Sequence, residues 1–93
     1  ADFAGPFGMP MATHNTASQV HTYGNIQWAS TIRDYIATET VTGKGDWMDK
    51  VLLLNEPYIQ NGYIKATEKP GLGIELNPDV VRAHLTAGEV WWG

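Results

Sequence analysis

The chain has 93 residues, with 6 Lys+Arg against 10 Asp+Glu, a formal net charge of −4, no cysteine and four tryptophans. At about 100–200 residues per domain this is one domain or part of one, and a chain so short hides only about 60–65% of its unfolded surface. The missing cysteines exclude a disulfide framework and thiolate metal sites, the negative charge argues against a nucleic-acid partner, and no apolar run approaches the roughly 20 residues that span a bilayer.

Aromatic residues at 11% and charged residues at 17% do not suit a disordered chain. The composition is that of protein interior, carried by a chain too short to have much interior. Residues 1–10 lack the basic start of a signal peptide, so a cytoplasmic location is expected.

Gly5-Pro6 and Gly8 punctuate an apolar start. The run 9–13 suits a buried strand, with Pro10 tolerable only near its first residue. Residues 15–19 are polar and rich in helix-capping types. Gly24 interrupts the next stretch, and Ile26, Ala29 and Ile32 at three-residue spacing predict a helix over 25–35. Tyr35-Ile36-Ala37-Thr38 has strand propensity and ends at Glu39. A strand ending in His14, a helix, and a strand ending in Glu39 form a β-α-β unit, which implies parallel strands with helical cover.

Thr42-Gly43-Lys44-Gly45 reads as a loop, and Asp46 as the cap of a short helix over 47–50. The run Val51-Leu52-Leu53-Leu54 is a buried strand or helix turn. Asn61-Gly62 is a tight-turn signal between Tyr58-Ile59 and Tyr63-Ile64. Pro70-Gly71-Leu72-Gly73 is a turn, and Ile74-Glu75-Leu76 a strand. Asn77 caps a helix with Pro78 at its first position, whose buried side would take Val80, Val81, His84 and Leu85. The tail carries Trp91-Trp92, two indoles expected to pack against another part of a larger protein.

Two residues carry the candidate chemistry. His14 and Glu39 each follow a parallel strand, and the C-terminal strand ends are where catalytic groups of parallel α/β folds gather. A histidine and a carboxylate facing one pocket can divide proton-transfer roles. The bland alternatives are a backbone-bonded histidine and a solvated loop carboxylate. His14 and His21 are seven apart and would share a face of a continuous helix, but a zinc site lacks a third ligand. The paired glycines match neither a phosphate loop nor a dinucleotide fingerprint, and a nucleophile elbow is absent.

The residues also resemble a family. Gly8-Met9-Pro10-Met11-Ala12-Thr13-His14-Asn15 looks like the seventh barrel strand of the enolase superfamily, and of its mandelate racemase branch in particular. Ile36-Ala37-Thr38-Glu39 looks like the eighth. Asn61-Gly62-Tyr63-Ile64 followed by Glu68-Lys69-Pro70-Gly71-Leu72-Gly73-Ile74-Glu75-Leu76 resembles the closing signature of sugar-acid dehydratases in that branch. The resemblance covers essentially the whole chain, as the last quarter of a family member.

It implies an α/β fold in which residues 1–54 are the C-terminal portion of a modified (β/α)8 TIM-like barrel, including its last two strands. Residues 55–93 would be a closing segment that returns to the capping domain. The implied reaction removes the proton α to a carboxylate of an acid sugar (an aldonate or aldarate) and eliminates water through an enediolate. His14 is implied as the acid/base, and Glu39 as the residue that bonds the substrate carboxylate, in a buried site that would favour its protonated form. The implied cofactor is Mg2+, its ligands lying outside this chain, so no metal ligand and no cofactor-binding residue is assigned here.

The implied partners are the sugar-acid substrate and the rest of the barrel and capping domain, as a separate chain or as part of a longer one. The full enzyme is expected to be a homo-oligomer, without nucleic-acid or membrane partners. Two strands cannot close an eight-stranded barrel, so the chain alone is expected to be inactive. The competing readings are a non-catalytic oligomerisation or binding module derived from such an enzyme, and a racemase or epimerase of the same superfamily.

Overall fold

Two short extended segments set the frame of the chain, and a computed structural model describes them within residues 1–40 and 47–93. The loop expected at 42–45 and the cap expected at Asp46 lie outside the described residues. A one-turn 3-10 helix, Gly5–Phe7, ends at Gly8, whose φ of 64° is a left-handed conformation that glycine adopts without strain. Strand β1 then runs over Met11–Thr13. It is shorter than the five residues expected, because Pro10 lacks the N–H that a ladder needs.

Helix α1 covers Gln19–Ala29, six residues earlier than the spacing of Ile26, Ala29 and Ile32 predicts. The polar stretch leads into the helix, with Ser18 at the N-cap position and Gln19 as the first helical residue. Gly24 lies inside the helix without ending it. A mid-helix glycine costs only about 1 kcal/mol relative to alanine, and burial of Thr22, Tyr23 and Ile26 around it outweighs that. The helix stops at Ser30, whose hydroxyl and N–H both donate to the Ile26 carbonyl.

Strand β2, Tyr35–Thr38, pairs with β1 in parallel as a two-stranded sheet. The β-α-β expectation therefore holds. The register pairs Met11 with Tyr35 but Ala12 with Ala37, so Ile36 is an extra residue on β2. This bulge breaks the usual in–out alternation: Tyr35 and Thr38 are half-buried, Ile36 and Ala37 exposed, and the Tyr35 and Thr38 hydroxyls touch.

The core is small and lies between α1 and the C-terminal half. Tyr23 and Ile26 from α1 meet Val51 and Leu52, with Ile64, Ile74, Leu76, Val80 and Val81 packed against them. In the aliphatic run Val51 closes the one-turn 3-10 helix Met48–Lys50 with helical dihedrals, and the run becomes extended at Leu52. Leu52 bridges Leu76 antiparallel, flanked by bonds from the Leu53 N–H to Glu75 and from the Asn77 N–H to Val51. Val51 and Leu52 are buried, whereas the following Leu53 and Leu54 are exposed.

The Asn61-Gly62 turn forms as expected. Both residues have positive φ, 52° and 80°, as a two-residue hairpin of the primed type requires, and Gln60 and Tyr63 exchange both backbone bonds across it. Helix α2, Pro78–Ala83, starts under the Asn77 side chain, which accepts from the Val80 N–H. Val80, Val81 and Leu85 are half-buried, but His84 is exposed. Its Nδ1 contacts the Val80 carbonyl at 2.8 Å, and its ring stacks on Trp47 at 4.2 Å and 9°. His84 thus caps the surface rather than sharing the buried side. Trp91 and Trp92 stack on each other, with Arg82 over Trp91 and Trp92 left in solvent.

Tyr23 gives this core a pH signature. Burial, and secondarily the neighbouring Tyr58, push its phenol above the ordinary value of 10.0. In the unfolded chain the phenol ionises first, so its contribution is complete below about pH 10 and is lost as pH rises through the higher folded value. Urea unfolding from about pH 9 to about pH 11 should show falling stability, and Tyr23→Phe should fall less steeply. Parallel slopes for the two proteins would contradict this.

Candidate functional site

The parallel ladder continues one residue past β2, because the Glu39 N–H donates to the carbonyl of Thr13, the last residue of β1, at 3.1 Å. That pairing brings the next residues side by side. His14 Nδ1 lies 2.6 Å from Glu39 Oε2, and the same carboxylate oxygen accepts the Asn15 N–H at 2.8 Å. Both sequence-singled residues therefore stand together at the C-terminal ends of adjacent parallel strands. His21 does not join them. His14 ends a strand while His21 lies on α1 with its surface exposed, so the shared helix face needed for a two-histidine site does not exist.

The contact fixes a chemical role for the ring. In the neutral form, a carboxylate at Nδ1 holds the proton there and leaves Nε2 as the basic atom. Such a histidine can take a proton at Nε2 and return it, with the carboxylate stabilising the imidazolium between the two events. Oε2 of Glu39 is engaged with His14 and Asn15, not held out toward a substrate. The His14 and Glu39 side chains are 81% and 50% exposed, so these residues do not supply the burial that would favour a protonated Glu39. An open site also leaves water in place, whereas proton abstraction from carbon profits from its exclusion.

The layer beneath the pair is buried and polar. Asn15 and Thr22 are both 1% exposed. The Asn15 amide donates to Thr22 Oγ1 at 2.8 Å and accepts the Ala17 N–H at 3.0 Å. Thr22 Oγ1 also lies 3.3 Å from Thr40 Oγ1 and 3.4 Å from the Ser18 carbonyl. Sequence reasoning missed these residues, taking Asn15 only as one of a capping-rich run. The available signal was positional: Asn15 and Thr40 each directly follow a strand-end candidate.

The described residues do not fit a magnesium site. Magnesium takes near-octahedral oxygen ligands, whereas the pair offers one carboxylate already bonded to an imidazole. Among the described residues no three His, Cys, Asp or Glu side chains cluster to hold a metal. Also among the described residues, no helix is long and apolar enough to cross a membrane.

Comparison with known proteins agrees with this frame. The chain is 37% identical over 89 residues to a D-xylonate dehydratase of Haloferax volcanii, a match covering 96% of this chain and 21% of that protein. It is 29% identical over 51 residues to an o-succinylbenzoate synthase of Bacillus subtilis, covering 55% of this chain and 14% of that one. The chain thus spans about a fifth or less of the length of these relatives. No solved structure matches it. The family model for the enolase C-terminal domain-like fold matches residues 1–80. With two paired parallel strands that each end in an ionisable residue, the chain is a C-terminal segment of the enolase superfamily, of the mandelate racemase type.

Proposed function

We propose that the chain is the closing part of a sugar-acid dehydratase. The observation that carries this reading is the His14–Glu39 contact at the paired strand ends, and the likeness to a D-xylonate dehydratase supports the substrate class. In this reading residues 1–54 supply the last two strands of a (β/α)8 barrel, and residues 55–93 pack back on the barrel and capping domain.

His14 is the acid/base. Its Nε2 takes the proton α to the substrate carboxylate, the C–H electrons pass into an enediolate, and the β-carbon hydroxyl leaves as water with a proton returned. Abstracting such a proton is difficult because carbanionic charge develops beside an existing carboxylate, so the barrier falls where the site supplies opposing charge. Magnesium of the kind used in the superfamily would be held by carboxylates outside these residues. Glu39 bonds the substrate carboxylate and supports the enediolate, beside the imidazole it contacts at 2.6 Å.

A partner polypeptide is part of the same reading. Parallel sheets are found covered on both faces and continued at their edges, yet here the sheet has two strands. Phe3, Phe7, Ile36, Val90 and Trp92 are all more than 60% exposed, more large apolar surface than a monomer of this size ordinarily shows. The remaining strands and helices of the barrel are the proposed cover.

The test is complementation. The chain is joined to, or co-expressed with, the part of the Haloferax volcanii dehydratase that its match does not cover. Dehydration of C5 and C6 aldonates is then followed, with the partner fragment alone as control. Activity that needs both parts is expected. A stable homo-oligomer of this chain that never complements would favour the non-catalytic module instead, and proton exchange without loss of water would favour a racemase or epimerase.

A further inference from the structure

We propose that Thr22 is a positioning residue for the His14–Glu39 pair, tying together the two residues directly after them in the chain. The proposal rests on the reading of that pair as the reacting groups. His14 and Glu39 are exposed and belong to different strands, so their 2.6 Å contact is not enforced by packing around their own side chains. The layer below is enforced. Asn15, directly after His14, and Thr40, directly after Glu39, both reach the Thr22 hydroxyl on α1.

The hydroxyl is saturated by these partners. It donates to the Ser18 carbonyl one turn back, accepts from the Asn15 amide, and so has one acceptor position left for the Thr40 hydroxyl. One oxygen atom therefore links helix α1 to both strand ends. Asn15 closes the arrangement, because its backbone N–H donates to the Glu39 oxygen that contacts His14. A shift of Asn15 relative to Thr40 would move the imidazole and the carboxylate apart. The Asn15–Thr22 bond is buried, so no water replaces it when a member is removed. Misplacement of reacting groups by about 1 Å can cost about a hundredfold in rate.

Two readouts test this. In the 93-residue chain, amide hydrogen exchange reports on the Asn15 N–H. Thr22→Val, which keeps the shape and removes the hydroxyl, should speed its exchange about tenfold while the Ile26 amide in α1 and the Leu53 amide, bonded to Glu75, stay protected. Thr22→Ser should restore it. In the complemented enzyme, Thr22→Val should lower kcat by about tenfold to a hundredfold with KM within about twofold, and Thr22→Ser should recover most of the loss.

A folded Thr22→Val chain with unchanged Asn15 exchange, or a complemented Thr22→Val enzyme with unchanged kcat, overturns the proposal. If Thr22→Val unfolds the chain, Thr40→Val is read in its place. That change breaks only the arm to the Glu39 strand, and unchanged Asn15 exchange there is equally decisive. Should exchange respond while the unsubstituted assembly dehydrates no sugar acid, the Thr22 link stands and the dehydratase reading fails.

Discussion

Replacing His14 with alanine should lower kcat of the complemented enzyme by at least about a thousandfold while leaving the stability of the chain unchanged. The size of the loss comes from the role. General acid–base transfer by a placed side chain contributes about 10²–10⁴-fold, and here the same atom would take the proton and return it to the departing hydroxyl. The intact stability comes from exposure. The His14 side chain is 81% exposed and its contact partner is Glu39, and even a fully charged exposed pair is worth only about 0–1 kcal/mol. Steady-state kinetics on several aldonates, with urea unfolding of the same preparation, check both halves. A variant that keeps activity within about tenfold would remove His14 from the chemistry. One that lost activity and stability together would make it structural.

Replacing Leu52 with alanine should have the opposite profile, a loss of about 2–5 kcal/mol in stability. Leu52 is 4% exposed and belongs to a cluster with only three other buried apolar residues. It also sits at the single bridge between the aliphatic run and Leu76. The methyl groups removed touch both α1 and the C-terminal half, so the cavity cannot close by moving one element. Native domains have about 5–15 kcal/mol in hand, and so small a core belongs at the lower end. The urea midpoint should fall steeply. Leu53→Ala, one residue along at a side chain 54% exposed, should stay within about 0.5 kcal/mol. Equal effects at the two positions would mean that the extended geometry of this run is wrong.

The contrast between those leucines shows where sequence reasoning stops. Val51-Leu52-Leu53-Leu54 is apolar throughout, and nothing in it marks which residues are inside. The bridge to Leu76 decides that, and Leu76 lies 24 residues away. Helix α1 shows a related limit. The spacing of Ile26, Ala29 and Ile32 is a helical signal, yet it extends past Ser30, where the hydroxyl bond back to Ile26 ends the turn. The early boundary was hidden because buried Gln19 and Thr22 are polar, and an apolar pattern does not register polar residues that bury through hydrogen bonds, here to Asp49 and Asn15. Likewise, His84 falls on the buried stripe by spacing, but Trp47 offers its ring a stacking surface outside.

Local chemistry determined the rest. The positive φ that Asn61-Gly62 supplies, the cap that Asn77 offers to Val80, and the strand propensity of Tyr35–Thr38 act within a few residues, and each appears where the sequence places it. The β-α-β order was also legible, and with it the placement of His14 and Glu39 at the ends of parallel strands. Their 2.6 Å contact was not, because it depends on register, and the register here shifts at Ile36. Nor was the link through Thr22, which joins residues 7 and 18 positions away in the chain. A sequence of interior composition with only 93 residues determined by itself the two paired strands, the Asn61-Gly62 turn and the two groups that follow the strands, whereas the strand expected over Ile74-Glu75-Leu76 is reduced to a single bridge at Leu76. Only the tertiary structure decided which leucine is buried, which polar residues bond beneath the pair, and that the pair itself stays open, since burial and hydrogen-bond partnership are properties of distant residues brought together.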